Sequence, residues 1–188
     1  MTVPERVRAA QQRAEQARFA LSCEPAVGRL LAVLAAAVPP GGRILEMGTG
    51  AGVGTAWLSE GLAGRSDATI TSVEVDPAIA AVARAGTWPP AVTLLVGDVL
   101  DLLAGLGRFD LIFADAQGGK WHGLDRTIAA LRPGGLLLVD DMRPAAWSDD
   151  EHPSKTAEVR RTLLGHPELS AVELTWASGV IIAAKRRT

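Results

Sequence analysis

One stretch, residues 44–54, constrains the fold of this chain more than any other. It begins with an apolar run, which is typical of a buried strand, and then places glycines at positions 48, 50, 52 and 54. Residues 55–60 follow with the pattern of a helix. Because glycine adopts backbone conformations that are closed to residues with a Cβ, the stretch predicts a tight turn between a strand and a helix. A ligand can lie directly on the main chain of such a turn, at the positive end of the helix.

Two classes of ligand compete for this turn. The dinucleotide fingerprint Gly-x-Gly-x-x-Gly, counted from Gly48 or Gly50, would need a glycine where the chain has Val53 or Thr55. The spacing therefore disfavours a nicotinamide or flavin dinucleotide. Glu46, two residues before Gly48, carries a carboxylate that would repel a pyrophosphate and suits a cationic group.

Residues 46–52, Glu-Met-Gly-Thr-Gly-Ala-Gly, resemble motif I of the class I S-adenosylmethionine-dependent methyltransferases, in which an acidic residue precedes Gly-x-Gly-x-Gly. The resemblance implies that the cofactor is S-adenosylmethionine and that this turn binds it. The predicted cofactor-binding residues are Glu46, Gly48, Thr49, Gly50, Gly52, Glu74, Val75, Asp98, Val99 and Asp115.

Strand and helix patterns alternate along the chain. After the strand at 44–46, the predicted strands are 68–75, 92–96, 109–114, 136–139, 171–176 and 180–184. Helical patterns separate the first five strands, the last of them over residues 121–131, and a turn at 177–179 joins the last two strands. Such alternation predicts an α/β fold, a Rossmann-like doubly wound seven-stranded sheet that is mostly parallel, with a C-terminal antiparallel hairpin and helices on both faces. The class I methyltransferases have the same strand count, so the resemblance extends from about residue 24 to residue 184.

The N-terminal residues form a separate feature. Residues 4–21 have a mostly alanine apolar stripe at helical spacing, with arginines elsewhere. This pattern predicts an amphipathic helix, within residues 1–23, that packs on the domain or acts as a lid or as a dimer element. The whole chain, 1–188, is predicted to be a single methyltransferase domain.

Bulk properties limit the partners. The net charge is −2 with mixed signs, which disfavours nucleic acid and an anionic membrane. A single cysteine, Cys23, points to a reducing compartment, and the N-terminus lacks the layout of a secretory signal. The longest apolar run, 30–38, is too short to span a membrane. We therefore expect a cytoplasmic protein that acts on a small molecule, with a homodimer as an open option.

Acidic residues stand at the predicted carboxyl ends of the strands, and these ends share one rim of a parallel sheet. They are Glu46, Glu74, Asp98, Asp115, Asp140 and Asp141. Glu74 can accept hydrogen bonds from both hydroxyls of a ribose, whereas Asp76, before Pro77, is better suited to cap a helix. Asp98 can accept from an adenine amine while Val99 packs on the ring, or it can cap the helix that follows.

Two further segments, 109–116 and 131–141, look like those of the catechol and caffeoyl-CoA type O-methyltransferases. The resemblance implies a divalent metal, Mg²⁺ or another cation, at Asp115, Asp140 and Asp141, which would activate a substrate hydroxyl. The same three acids can also serve as helix caps and turn residues. At the position of the family's lysine this chain has Gly118, and its own lysine follows two residues later.

The predicted catalytic residues are therefore Asp115, Lys120 and His122, with the lysine and the histidine as alternative bases. Trp121 and Trp147, and also Trp88, are candidate walls for a flat substrate, while Trp57 and Trp176 are expected in the core. The predicted function is O-methylation of a small hydroxylated molecule, which includes aromatic acceptors, by direct displacement at the methyl group. The alternatives are a tRNA-modifying methyltransferase and a non-catalytic S-adenosylmethionine-binding protein.

Overall fold

The computed structural model of the chain describes residues 2–143 and 151–187. Strands and helices alternate through most of this region. In chain order the elements are α1 (Glu5–Gln16), α2 (Pro25–Ala36), β1 (Arg43–Met47), α3 (Val53–Gly61), β2 (Thr69–Glu74), α4 (Pro77–Arg84), β3 (Val92–Val96), α5 (Val99–Leu106), β4 (Phe109–Ala114), α6 (Gln117–Lys120), α7 (Leu124–Ala129), β5 (Leu131–Val139), α8 (His152–Gly165), β6 (Leu169–Leu174) and β7 (Val180–Lys185).

The strands form one sheet in the order β3-β2-β1-β4-β5-β7-β6. Strands β1 to β5 pair in parallel, and β7 runs antiparallel to both β5 and β6. The predicted Rossmann-like sheet with its C-terminal hairpin is confirmed. The order reverses between β1 and β4, and ligands of open α/β sheets bind in the crevice at such a reversal.

Helices cover both faces of the sheet. Neighbouring residues on a strand point to opposite faces, so they pack against different helices. On β1, Ile44 belongs to the apolar cluster that contains residues of α1, α2 and α3. The next residue, Leu45, belongs to the cluster with residues of α5, α7 and α8. Both side chains are completely buried. The two faces of β1 thus belong to two different apolar clusters, and the polar residue Glu46 lies near the carboxyl end of this strand.

Backbone hydrogen bonds align the strand ends at one rim. The Gly48 N–H donates to the Val73 carbonyl at 2.9 Å, and the Asp115 N–H donates to the Met47 carbonyl at 3.0 Å. The Asp140 N–H donates to the Ala114 carbonyl at 3.3 Å. The residues that follow β1, β2, β4 and β5 therefore converge on a common crevice.

Helix α1 is shorter than the predicted 4–21 and packs on the same chain. Val7, Ala10 and Ala14 on its apolar stripe are buried in the cluster with α2 and α3. Arg6 forms an ion pair with Glu60 of α3 at 2.6 Å. A role as a lid or dimer element stays a prediction.

Two sequence-based expectations about local structure are wrong. The helix predicted over 121–131 is limited to α7, because Gly123 adopts a left-handed φ of 70° before it and Leu131 already pairs with Phe109 in the sheet. Trp176, expected in the core, is 47% exposed because β6 is an edge strand that ends at Leu174. Among the helices that the structure describes, none is long and apolar enough to cross a membrane.

Candidate active site

A cavity of about 960 Å³ opens at the carboxyl ends of the central strands. Ligand pockets commonly range over about 300–1,000 Å³, so this one is large enough for more than one small molecule. One side is formed by residues 19–24, the connection between α1 and α2, which we call the N-terminal strap. Trp121, His152 and Ser178 also line the cavity.

The glycine turn lies on the cavity wall and is tied to the end of β2. Gly48 and Gly50 adopt left-handed φ angles of 98° and 54°, which favour glycine. The Gly50 N–H donates to Glu74 Oε2 at 2.8 Å, and the Asp76 N–H donates to Glu74 Oε1 at 3.0 Å. Glu74 also lines the cavity, so its carboxylate, with further lone pairs to offer, faces any ligand there.

The other two glycines of the motif serve internal packing. Gly52, predicted to bind the cofactor, is not among the residues that line the cavity. A Cβ at this position would lie 2.8 Å from the Trp88 ring. Gly54 faces the Glu46 carboxylate, which a Cβ would displace. Gly52 is the residue before α3 and has a φ of 90°, and its role in cofactor binding stays a prediction.

Glu46 is a buried carboxylate at the end of β1, only 1% exposed, that reaches the cavity wall. Its Oε2 accepts hydrogen bonds from the Thr55 hydroxyl and, at 2.5 Å, from the Ser72 hydroxyl. Burial raises the pKa of Glu46 to about 7, although both hydrogen bonds favour the ionised form. A cation in the cavity would therefore shift this group toward its charged state.

The acids that follow β2 and β3 have the helix-capping roles expected of them. Asp76 accepts from the N–H groups of Ala78 and Ile79 at the start of α4, and Asp98 accepts from the Leu100 N–H at the start of α5. Both acids also line the cavity, together with Val75, Val99 and Thr49. Val75 is 66% exposed, which is unusual for a large apolar residue. An apolar ligand surface would cover it.

At the far end of the cavity, Asp115, Asp140 and Asp141 form the acid cluster, each with an oxygen within 4.8 Å of the others. Burial raises the pKa of Asp115 well above its usual range; Lys120 opposes this shift, and Asp140 and Asp141 add to it. Burial and the neighbouring Asp141 charge raise the pKa of Asp140 to about 6. The predicted metal ligands thus lie together, and the predicted metal stays a prediction.

Lys120 reaches into this acid cluster. Its side chain is 4% exposed, and Nζ lies 3.6 Å from Asp115 Oδ1 and 3.3 Å from Asp141 Oδ2. The structure therefore brings the displaced lysine to the acids, as the predicted catalytic set requires. His122 is exposed, and its backbone closes the turn by accepting the Gly119 N–H at 2.7 Å; its role as a base stays a prediction.

Three parts of the site were not predicted. The Ser178 hydroxyl donates to Asp140 Oδ1. The His152 ring contacts the Trp121 ring edge-on at 5.4 Å between centroids, and its Nε2 lies 3.0 Å from the Asp141 carbonyl oxygen. The N-terminal strap is the third part. The sequence gives no signal for Ser178 or His152, because only the fold brings them to the cluster.

The tryptophans divide between core and cavity. Trp57 is buried in the core, as predicted, and Trp121 lines the cavity. Trp88 lies instead between Gly52 and the Arg13 guanidinium, which is 5.7 Å from its ring centroid. Trp147 lies outside the described residues.

The comparisons with known proteins agree with this geometry. Residues 45–142, which include the glycine turn and the acid cluster, match a family described as methyltransferase domain. A protein of Mycolicibacterium vanbaalenii that is named as an O-methyltransferase is 32% identical over 175 residues, which cover 86% of this chain and 76% of the relative. The chain belongs to this methyltransferase family.

Solved structures of other proteins superpose closely on the fold of this chain. A Klebsiella pneumoniae protein, named as an O-methyltransferase, superposes with a TM-score of 0.86 at 26% identity, over 100% of this chain and 92% of that one. TomG, an O-methyltransferase of Streptomyces achromogenes solved in complex with S-adenosylmethionine, has a TM-score of 0.82 at 24% identity, over 99% and 92%. The latter likeness concerns the fold alone. The predicted family and fold are confirmed.

Proposed function

We propose that this methyltransferase transfers the methyl group of S-adenosylmethionine to a hydroxyl oxygen of a small molecule. The observation that carries the proposal is one continuous cavity, with the glycine turn and Glu74 at one end and Lys120 within the acid cluster at the other. The relatives named as O-methyltransferases support an oxygen acceptor.

The residues at the glycine end fit this cofactor. Carboxylates of Glu46 and Glu74 line the cavity beside the main chain of the turn, so the wall offers acceptors for an ammonium and for ribose hydroxyls. Val75, whose side chain is exposed, and Val99 offer apolar contacts to an adenine ring, and Asp98 offers a hydrogen-bond acceptor. When bound, S-adenosylmethionine supplies a methyl group on a positively charged sulfur. The role of this chain is alignment, for which a rigid strand end is well suited.

The residues at the other end fit a hydroxylated acceptor. Trp121 provides a flat apolar wall, and Lys120 provides a positive charge for an oxygen that loses its proton. Asp115 and Asp141, next to that lysine, can accept a hydrogen bond from a hydroxyl. An acceptor bound between the Trp121 ring and the acids would exclude water from the reacting oxygen.

A tRNA acceptor is disfavoured by the charge of the cavity wall. Eight carboxylates line it, and Lys120 is the one lysine or arginine among the described lining residues; the acids are Glu24, Glu46, Glu74, Asp76, Asp98, Asp115, Asp140 and Asp141. Phosphates of a nucleic acid would be repelled from this opening. A divalent metal at the acid cluster, a homodimer and a cytoplasmic location stay predictions.

A methyl-transfer screen with labelled S-adenosylmethionine tests the function. Catechols, simple phenols, aliphatic alcohols and tRNA serve as acceptors, each with and without EDTA, and mass spectrometry identifies the methylated atom. We expect label on the oxygen of a small acceptor and none on tRNA. Label on tRNA alone would support the nucleic-acid alternative, and failure to bind S-adenosylmethionine in calorimetry would overturn the proposal.

Glu74 provides a specific prediction for cofactor binding. We expect Glu74→Ala to weaken S-adenosylmethionine binding by about 1–3 kcal/mol, because the hydroxyls and N–H groups that it binds lose their partner. Calorimetric titration measures this loss. Glu173→Ala is the matched control, since Glu173 is also a strand carboxylate, on β6 and paired with Arg160, away from the cavity. Equal affinities of the two variants would contradict the assignment.

A further inference from the structure

The Lys120 ammonium is held as a bound cation would be. Nζ lies 3.3 Å from Asp141 Oδ2, 3.3 Å from the Asp140 carbonyl oxygen and 3.6 Å from Asp115 Oδ1. The fourth side is the face of Trp121, whose ring centroid is 4.6 Å from Nζ. Each neighbour is a carboxyl oxygen, a carbonyl oxygen or the electron-rich face of a ring, and each of these attracts a positive charge.

The local backbone is built to bring this lysine inward. Gly119 adopts a φ of 87°, and a Cβ there would collide with the Met47 sulfur and lie 3.1 Å from the Thr127 hydroxyl. The Thr127 hydroxyl in turn donates to the Gly119 carbonyl at 2.9 Å. This turn directs Lys120 into the protein, where lysine is almost never buried without a partner.

With the ammonium in this position, the acid cluster does not fit a divalent ion. An ion coordinated to Asp141 Oδ2 at about 2.0–2.6 Å would lie within about 6 Å of Nζ, which is 3.3 Å from the same oxygen. Repulsion between the two positive charges would oppose its binding. Asp140, another expected ligand, already accepts hydrogen bonds at Oδ1 from Ser178 and from the Asp141 N–H.

We propose that Lys120 is the resident cation of the acid cluster and stands in the place of a divalent metal. Two of its N–H groups are directed at oxygens of Asp140 and Asp141 at hydrogen-bond distance, and the third is available to Asp115 or to an acceptor. An ammonium offers a single positive contact, whereas a metal with open positions can bind two neighbouring oxygens. If the proposed function holds, the enzyme accepts single hydroxyls as readily as vicinal pairs and needs no added metal.

Binding of Mn²⁺ alone tests this inference without any methyl transfer. We expect the wild-type protein to leave the electron paramagnetic resonance signal of free Mn²⁺ unchanged at millimolar metal. Lys120→Ala removes the ammonium and leaves the three acids, so we expect it to bind one Mn²⁺ per chain at least tenfold more tightly. Lys185→Ala is the control, because Lys185 also pairs with a carboxylate at 3.6 Å but lies outside the cavity wall.

The outcomes are distinct. Stoichiometric Mn²⁺ binding by the wild-type protein that is lost in Asp115→Asn would overturn the inference, even if the lysine variants fail to fold. A folded Lys120→Ala protein that binds no Mn²⁺ would also overturn it. Methyl transfer that survives EDTA in the wild-type protein supports it, whereas absence of transfer to every acceptor counts against the proposed function alone and leaves the Mn²⁺ result readable.

Discussion

Glu46 couples the protonation of one buried residue to the stability of the whole fold. Its native pKa of about 7 exceeds the ordinary 4.5, so the folded protein binds this proton more tightly than the unfolded chain does. The contribution is complete below about pH 4.5 and is lost as the pH rises through about 7.

We therefore predict that Glu46→Gln, which stays neutral, gains stability relative to wild type by roughly 2–3 kcal/mol between pH 5 and pH 8. Urea unfolding at a series of pH values measures the difference. A difference between the two proteins that does not change with pH would show that the Glu46 carboxylate is ionised throughout.

Gly54 is packed closely against the side chains of Glu46 and Phe113. A Cβ at this position would enter the space of the Glu46 carboxylate and lie 3.3 Å from the Phe113 ring. We expect Gly54→Ala to lower the free energy of unfolding by about 1–3 kcal/mol, as overpacked cores do. Gly105→Ala, in α5 with no atom near its Cβ position, should be neutral or stabilising by about 0.5–1 kcal/mol. Equal effects in urea unfolding would contradict this assignment.

The glycine motif shows how far sequence reasoning extends at this scale. Spacing alone predicted the turn, since strand, glycines and helix follow one another along the chain. It could not tell that Gly52 and Gly54 face Trp88 and Glu46, because a contact between side chains depends on how distant segments pack. The inward direction of the Lys120 side chain could not be predicted either, because it depends on the φ of Gly119.

At the scale of the elements, the N-terminal strap is the segment most directly coupled to the cavity. Phe19 packs against Gly50 of the glycine turn, and residues 19–24 line the cavity. Arg18, just before the strap, is exposed and has a left-handed φ of 53°. A ligand in the cavity would add contacts to the strap and hold it in place.

We predict that S-adenosylmethionine slows tryptic cleavage after Arg18 several-fold. Mass spectrometry of timed digests gives the rate at each site. Cleavage after Arg108, an exposed residue that precedes β4 at the opposite rim of the sheet, should stay unchanged and serves as the internal control. Equal slowing at both arginines would indicate general stabilisation instead of a local effect on the strap.

Element boundaries were predictable where a pattern is local. Phe109–Ala114 was predicted as observed, because five of its six residues are apolar and it lies between turn residues. The helix over 121–131 was not, because Leu131 joins the sheet through pairing with Phe109, which no local pattern reports. The apolar stripe over residues 4–21 predicted a packed helix, but the helix ends at Gln16 and residues 19–21 belong to the strap.

At the scale of the whole molecule, cofactor binding should stabilise the fold by mass action. S-adenosylmethionine at 100 times its Kd adds about 2.7 kcal/mol to the free energy of unfolding. For a domain of 150–250 residues this corresponds to a rise in Tm of roughly 5–10 °C. Differential scanning fluorimetry measures the shift. NAD, which the glycine spacing disfavours, should cause none, and an equal shift with NAD would contradict the cofactor assignment.

The architecture was predictable from alternation, but the placement of the last two strands was not. Five strand-helix repeats imply a parallel sheet, and the short turn at 177–179 implies a hairpin. Either hairpin strand could have paired with β5. The structure places β7 inside, where Val180 and Ile181 are completely buried, and leaves β6 at the edge with Val172 51% exposed.

This order of β6 and β7 has a consequence for how the chain folds as it leaves the ribosome. β6 is synthesised before β7, yet β7 is the strand that connects it to the rest of the sheet. Until residues 180–185 emerge, β6 has no partner and the exposed edge of β5 can pair with another nascent chain. Ser178, which binds Asp140, arrives in the same late segment. We infer that the acid cluster takes its final form only after residues 178–185 have joined the sheet.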